Sequence, residues 1–198
     1  MRVIVVGTGT IGLAARKALE EKNHEVASVS RKAGDYQADM SDAYSMKTLF
    51  SKMGHFDAVA CAAGEVFLAP LEVTTDEQWA NSINAKGMGQ INLVRAALPY
   101  IADKGSFTLI SGVLTDEYVA GGVIGTVINH IVEGFVKAAA VELPRGVRID
   151  CIRSHGDFDL RRFLRRTQVT ESRATADDGR RSRFEILVLG TFCQHLEC

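Results

Sequence analysis

The chain lacks what would take it out of water or tie it to a metal. Its four cysteines, Cys61, Cys151, Cys193 and Cys198, form no C-x-x-C pair and no zinc-type spacing. Neither a disulfide framework nor a metal site is expected, and the thiols read as reduced residues of a cytoplasmic protein. No apolar run reaches the length of a bilayer span. The first residues enter a strand at once, which leaves no room for a leader. An excess of one charge is missing too: 23 Lys and Arg stand against 24 Asp and Glu, a formal net charge of −1. That gives no electrostatic reason to bind nucleic acid or a membrane surface. With 198 residues, 46% of them hydrophobic, the chain suits one α/β domain with a substantial core and a small appendage.

What is present begins at the amino terminus. A strand over 2–6 (RVIVV) runs into Gly7, Gly9 and Gly12, spaced G-x-G-x-x-G. Leu13, Ala14, Ala15, Ala18 and Leu19 then give a helix its apolar face. Strand, glycine turn and helix together make a dinucleotide-binding fingerprint. Gly7 allows the turn, Gly9 lets a pyrophosphate approach the backbone, and Gly12 lets the helix lie close to the strand. Thr8, Thr10 and Ile11 complete the turn, and the helix N-terminus offers free N–H groups and a partial positive charge.

A second strand over 25–30 ends at Ser30, followed by Arg31 and Lys32. An acidic residue here would favour NAD by bonding the ribose 2′-hydroxyl. A cationic pair suits the 2′-phosphate of NADP instead, so NADP is preferred over a merely solvated basic turn. Asp39 is either an acceptor for the adenine amino group or a solvated loop acid. Ser41 is the expected cap of a helix over 43–53 whose Tyr44, Met46, Leu49, Phe50 and Met53 repeat at helical spacing and read as core. A strand over 55–60 ends in the small residues Ala62, Ala63 and Gly64, which permit a flat ligand to approach. A helical segment over 71–85, capped by Thr74 or Thr75, leads into a long helix over 82–102 that Gly87 and Gly89 interrupt. A strand over 105–112 carries Ser111 near its carboxyl end, a helix follows over 122–143, and a strand over 147–152 closes the series. The alternation predicts a doubly wound parallel sheet covered on both faces, a three-layer αβα Rossmann fold.

The glycine turn, Asp39, CAAG at 61–64, INAKG at 83–87, LISG at 109–112 and EGFVKAAAVELPRGVRI at 133–149 occur in an order that resembles the short-chain dehydrogenase/reductase family over residues 1–152. The resemblance implies an NAD(P)-dependent oxidoreductase acting on a carbonyl or alcohol, with NADP or NAD as cofactor. It assigns Asn84 to the active-site asparagine of a proton relay and Ser111 to the serine that bonds the substrate oxygen. It also implies a homodimer or homotetramer built on the two long helices. Where the family has a catalytic tyrosine and a lysine four residues later, this chain has Gly125 and Asn129. Asn129 would bond a ribose hydroxyl without supplying charge. Tyr118, seven residues before Gly125, and His130 are the candidates for the missing acid, each with a surface or packing role as the alternative.

The tail departs as well. Residues 1–152 carry eight lysines and six arginines, whereas 153–198 carry nine arginines and no lysine. The shift falls where the family motifs end and predicts an aberrant, frameshift-like tail, irregular or loosely packed. A basic helix over 161–166 and a short strand over 184–189 are its candidate elements. Three functions are therefore weighed: the reductase, a non-catalytic NADP-binding sensor, and a degraded enzyme. None of them names the substrate.

Overall fold

A computed structural model describes residues 1–154. The expectations for 161–166 and 184–189, and Cys193 and Cys198, lie outside the described residues. The architecture follows from one strand with two apolar faces. In β1 (Arg2–Val6), Ile4 and Val6 enter one core cluster while Val3 and Val5 enter another. A strand buried on both sides belongs inside a parallel sheet. Six parallel strands line up as β3 (Tyr36–Gln37), β2 (Glu25–Ser30), β1, β4 (Phe56–Cys61), β5 (Ile101–Gly112) and β6 (Arg148–Ser154). The order in which strands are laid down reverses between β1 and β4, which places a crevice at their carboxyl ends.

Helix α1 (Thr10–Glu20) buries Ala15 and Leu19 in the smaller cluster. The opposite face is packed by α2 (Ala43–Met53), α4 (Gly89–Ala97) and α5 (Val123–Glu142) around Phe50, Phe56, Leu93, Phe107 and Val132. The Phe50 and Phe56 rings sit 5.3 Å apart, tilted, an arrangement that aromatic pairs favour. Helix α3 (Asp76–Ser82), which contacts α5, is started by a capping box in which Thr75 and Gln78 satisfy each other's backbone.

Several boundaries differ from the sequence expectation for local reasons. Asp42, not Ser41, caps α2, accepting from the Tyr44 N–H. Tyr44 itself is 77% exposed and not part of the core. The long helix over 82–102 is broken: a π-helical turn (Ile83–Met88) precedes α4, and Pro99 follows its end, so residues 101 and 102 are strand. The two-residue β3 was not expected. Strand β6 runs to Ser154, so Arg153 and Ser154, assigned above to the tail, are strand residues. Helix α5 is long and apolar enough to cross a membrane by length and composition, which corrects the expectation that no such run exists. Its Ile124, Ile128, Val132 and Val136 are buried, and it packs against β5 and β6.

One polar residue closes the sheet where β4 stops. The β4–β5 register ends at Ala60 and Thr108, while β5 and β6 stay paired to Gly112 and Ser154. Gln90, fully buried, donates to the Ile110 carbonyl at 2.8 Å and accepts from the Ile110 N–H at 2.9 Å. Its carboxamide thus replaces the missing neighbour strand. Gln90→Leu would leave two buried backbone groups unpaired and should lower unfolding stability by about 3 kcal/mol. Urea denaturation is the check, and a midpoint equal to wild type would refute this account.

Candidate cofactor and active site

The backbones of β1, α1 and β4 meet so closely after Val6 that side chains are excluded. The Gly7 N–H donates to the Val29 carbonyl at 2.8 Å, and the Ala62 N–H to the Val6 carbonyl at 2.7 Å. A Cβ on Gly12 would lie 1.8 Å from the Gly7 oxygen, and one on Gly7 2.6 Å from the Ala62 oxygen. Gly9 is different: nothing lies within 4 Å of the same position. It is the N-cap residue of α1, whose first turn has no side-chain cap and no acidic residue. Its N–H groups and positive end therefore open on free space beside exposed Gly9 and Thr10, with Thr8 and Ile11 half-buried. That geometry fits a diphosphate. Ala62 and Ala63 are half-buried and Gly64 exposed just past β4, on the same side of the crevice.

Past β2, Arg31 and Lys32 are both exposed. Arg31 Nη2 donates to Glu65 Oε1 at 2.7 Å, joining the segment after β2 to the one after β4. Asp39 is half-buried, and its Oδ1 accepts from the Ser41 N–H and hydroxyl at 2.9 and 2.7 Å. That oxygen belongs to the turn ahead of α2. The sequence reading missed Asp35, whose Oδ2 accepts from the Ser28 N–H, the Ser28 hydroxyl and Arg16 Nη1, each at 2.8 Å. Those Ser28 bonds, and then Arg16, hold its carboxyl below the usual carboxylate range.

The carboxyl end of β5 carries a buried polar network. Ser111 is fully buried and donates its hydroxyl to Glu133 Oε1 at 2.8 Å. Arg153 clasps the same carboxylate with Nε and Nη2, at 2.9 and 2.8 Å, and also donates to Asp116. Burial pushes the Glu133 carboxyl up, but the bonds from Arg153 and Ser111 outweigh it and hold it below its ordinary value. For Ser111 to bond a substrate oxygen, its hydroxyl would have to leave Glu133.

Asn129 is buried, and its Oδ1 accepts from Lys86 Nζ at 2.7 Å. Burial pulls the Lys86 pKa down, with Cys151, Cys61 and Glu133 pushing the other way. Both thiols are pushed up to about 12, chiefly by burial, and stay protonated at neutral pH. Asn84 is exposed in the π-helical turn, and Tyr118 is 74% exposed in the loop after β5. Exposed His130 turns Nδ1 to the Thr126 carbonyl, 2.9 Å away in its own helix. A Cβ on Gly125 would lie 2.8 Å from Leu114 Cδ1 and 3.3 Å from Leu68 Cδ2, so aliphatic side chains fill that position.

A family model described as enoyl-(acyl carrier protein) reductase matches residues 7–156. The chain belongs to the short-chain dehydrogenase/reductase family. It is 26% identical to 3-ketodihydrosphingosine reductase of Bacteroides thetaiotaomicron over 179 residues, covering 79% of this chain and 64% of that protein. The chain spans less than two thirds of the length of the curated relatives it matches. Among solved structures, the protein lin1944 from Listeria innocua superposes with TM-score 0.75 at 36% identity, covering 77% of this chain and 76% of that one. A small-chain dehydrogenase in complex with NADPH superposes with TM-score 0.72 at 28% identity, covering 77% and 69%.

Within this short-chain dehydrogenase/reductase fold, sequence reasoning missed, besides Asp35, the buried Glu133, Lys86 and Gln90 and the half-buried Arg153. Glu133 was quoted only as part of a motif, and Arg153 was assigned to the tail. Because the Glu133 carboxyl is depressed in the folded protein, its contribution is present at neutral pH and is lost as pH falls through its folded value, below the ordinary glutamate pKa of about 4.3. Glu133→Gln should cost about 2 kcal/mol at neutral pH. The gap to wild type should close as the pH is lowered past that range. Urea unfolding at a series of pH values reads both, and a gap that stays constant on acidification would contradict the assignment.

Proposed function

We propose that this chain is an NAD(P)(H)-dependent oxidoreductase, preferring NADP(H), that moves a hydride between the nicotinamide and a carbonyl or alcohol. The observation that carries this reading is the open, uncapped start of α1 in front of Gly9, at the switch point between β1 and β4. The bound dinucleotide would supply the hydride. Gly7, Thr8, Gly9, Thr10, Ile11 and Gly12 surround its diphosphate. Ala62, Ala63 and Gly64 admit its flat parts, and Asp39 lies toward the adenine. Asn129 belongs to the ribose side, and Asn84, Ser111 and Tyr118 are the polar groups proposed around the substrate oxygen.

The preference for NADP rests on Arg31 and Lys32. Arg31 is already paired with Glu65, but both side chains are more than half exposed. Exposed pairs of this kind contribute about 0–1 kcal/mol, less than a guanidinium gains from a phosphate. The NADPH complex of the 28%-identical dehydrogenase is consistent with the same cofactor here. The relative named as a ketodihydrosphingosine reductase is consistent with carbonyl reduction. A cytoplasmic homodimer or homotetramer completes the proposal; exposed Val127 and Val141 on α5 are available to such an interface.

A second reading, a non-catalytic NADP-binding protein, draws on position 125. There the family resemblance calls for a tyrosine, and here Leu114 and Leu68 close around a glycine. Titration with NADPH and NADH, followed by turnover on a panel of carbonyl compounds, separates the two. Binding with turnover supports the reductase, binding without turnover supports the second reading, and failure to bind either nucleotide defeats both. Replacing Arg31 and Lys32 together by alanine should weaken NADPH about tenfold while NADH changes little. Equal losses would count against the 2′-phosphate role.

A further inference from the structure

Lys86 is a buried lysine to whose amine, among the described residues, no carboxylate is hydrogen-bonded. The residue is 8% exposed. Among the described residues its hydrogen-bond partners are Asn129 Oδ1 at 2.7 Å and, more weakly, the Ser111 carbonyl at 3.5 Å. Both are uncharged. Glu133 acts on it through space, but its oxygens are held by Arg153 and Ser111. An ammonium has three donors, and burying one on neutral acceptors is unfavourable unless something further takes up the charge.

The fold delivers this side chain to a defined place. The π-helical turn Ile83–Met88 buries Lys86 together with Gly87. Its aliphatic stem crosses Gly64, where a Cβ would lie 2.6 Å from Lys86 Cγ and where φ is +144°. Its tip sits beside the Ser111 carbonyl and Asn129. Gly64 follows β4 and Ser111 is near the end of β5, so the amine stands at the carboxyl ends of both strands, the end of the sheet at which Gly9 also lies. Asn129 is wedged in place, with Nδ2 2.8 Å from where a Cβ on Gly112 would be.

We propose that Lys86 is a cofactor-binding cation: its ammonium, tethered by Asn129, bonds hydroxyls of the nicotinamide-side ribose, so the chain supplies from position 86 the charge that its family resemblance assigns to position 129. This rests on the dinucleotide reading above. A lysine that merely fills the core would not distinguish one end of the nucleotide from the other.

The test is calorimetric titration of the full chain with NADPH and with adenosine 2′,5′-bisphosphate, which has the adenosine and the 2′-phosphate but no second ribose. Lys86→Met should weaken NADPH about tenfold or more and the bisphosphate less than about twofold. The double variant Lys86→Met, Asn129→Lys, which returns a cation to the cluster, should recover most of the NADPH affinity. Equal losses for the two ligands, or no loss for either, would overturn the assignment while leaving the dinucleotide reading standing. If wild type binds neither ligand, that reading fails and this one falls with it. Should Lys86→Met not fold, the unaltered chain is titrated with an NADPH analogue lacking the nicotinamide-ribose hydroxyls. A clear loss supports the contact, and unchanged affinity overturns it.

Discussion

Everything at the nucleotide end depends on three stretches of backbone lying closer than any side chain allows. The Gly7 oxygen stands where a Cβ of residue 12 would be, and the Ala62 oxygen crowds the position above Gly7. This contact fixes the angle at which α1 leaves β1, and so aims the helix N-terminus at the gap between β1 and β4. The turn is held by its neighbours on both sides, through the Gly7 bond to Val29 and the Ala62 bond to Val6. The opening in front of Gly9 is what remains when the other two glycines have been closed off.

The other end of the crevice is held by polar side chains instead. Beyond the last β4 pairing, β5 and β6 continue, among the described residues, with no strand on the β4 side. Gln90 satisfies Ile110 there, and Ser111, Glu133 and Arg153 bind β5, α5 and β6 into one charged knot. In a low-dielectric interior such groups are favourable only when fully partnered. A rigid floor of this kind suits a site in which a ligand has to be oriented, because its side chains have few alternative partners.

Much of the fold could be read because its elements bury regular faces. β1, β2 and α2 match their expected bounds, and α5 differs by one residue at each end. Periodicity does not report which polar residues go inside, and the site was least readable where that question decides. Lys86 and Gln90 sit on a helical face with Leu93, Val94 and Ala97, yet a long polar side chain at such a position reads as solvated until the packing is seen. Ser111 was assigned by motif, but the strand sends its hydroxyl to Glu133, a partner 22 positions away. Tyr44 fitted the helical spacing and still faces water. Asp42 displaced Ser41 as the cap because Ser41 is engaged with Asp39. β3, two residues long, leaves no pattern to detect.

The Arg31–Glu65 bridge has a consequence for how the two ends communicate. Glu65 lies on the stretch that carries Val66 and Leu68 to Gly125, and Phe67 is fastened to Ser82 by its N–H. One short ribbon of chain therefore borders both halves of the crevice. Were an anion to capture the guanidinium of Arg31, Glu65 would lose its ion pair, and the ribbon beside Gly125 would then hang from one mooring fewer.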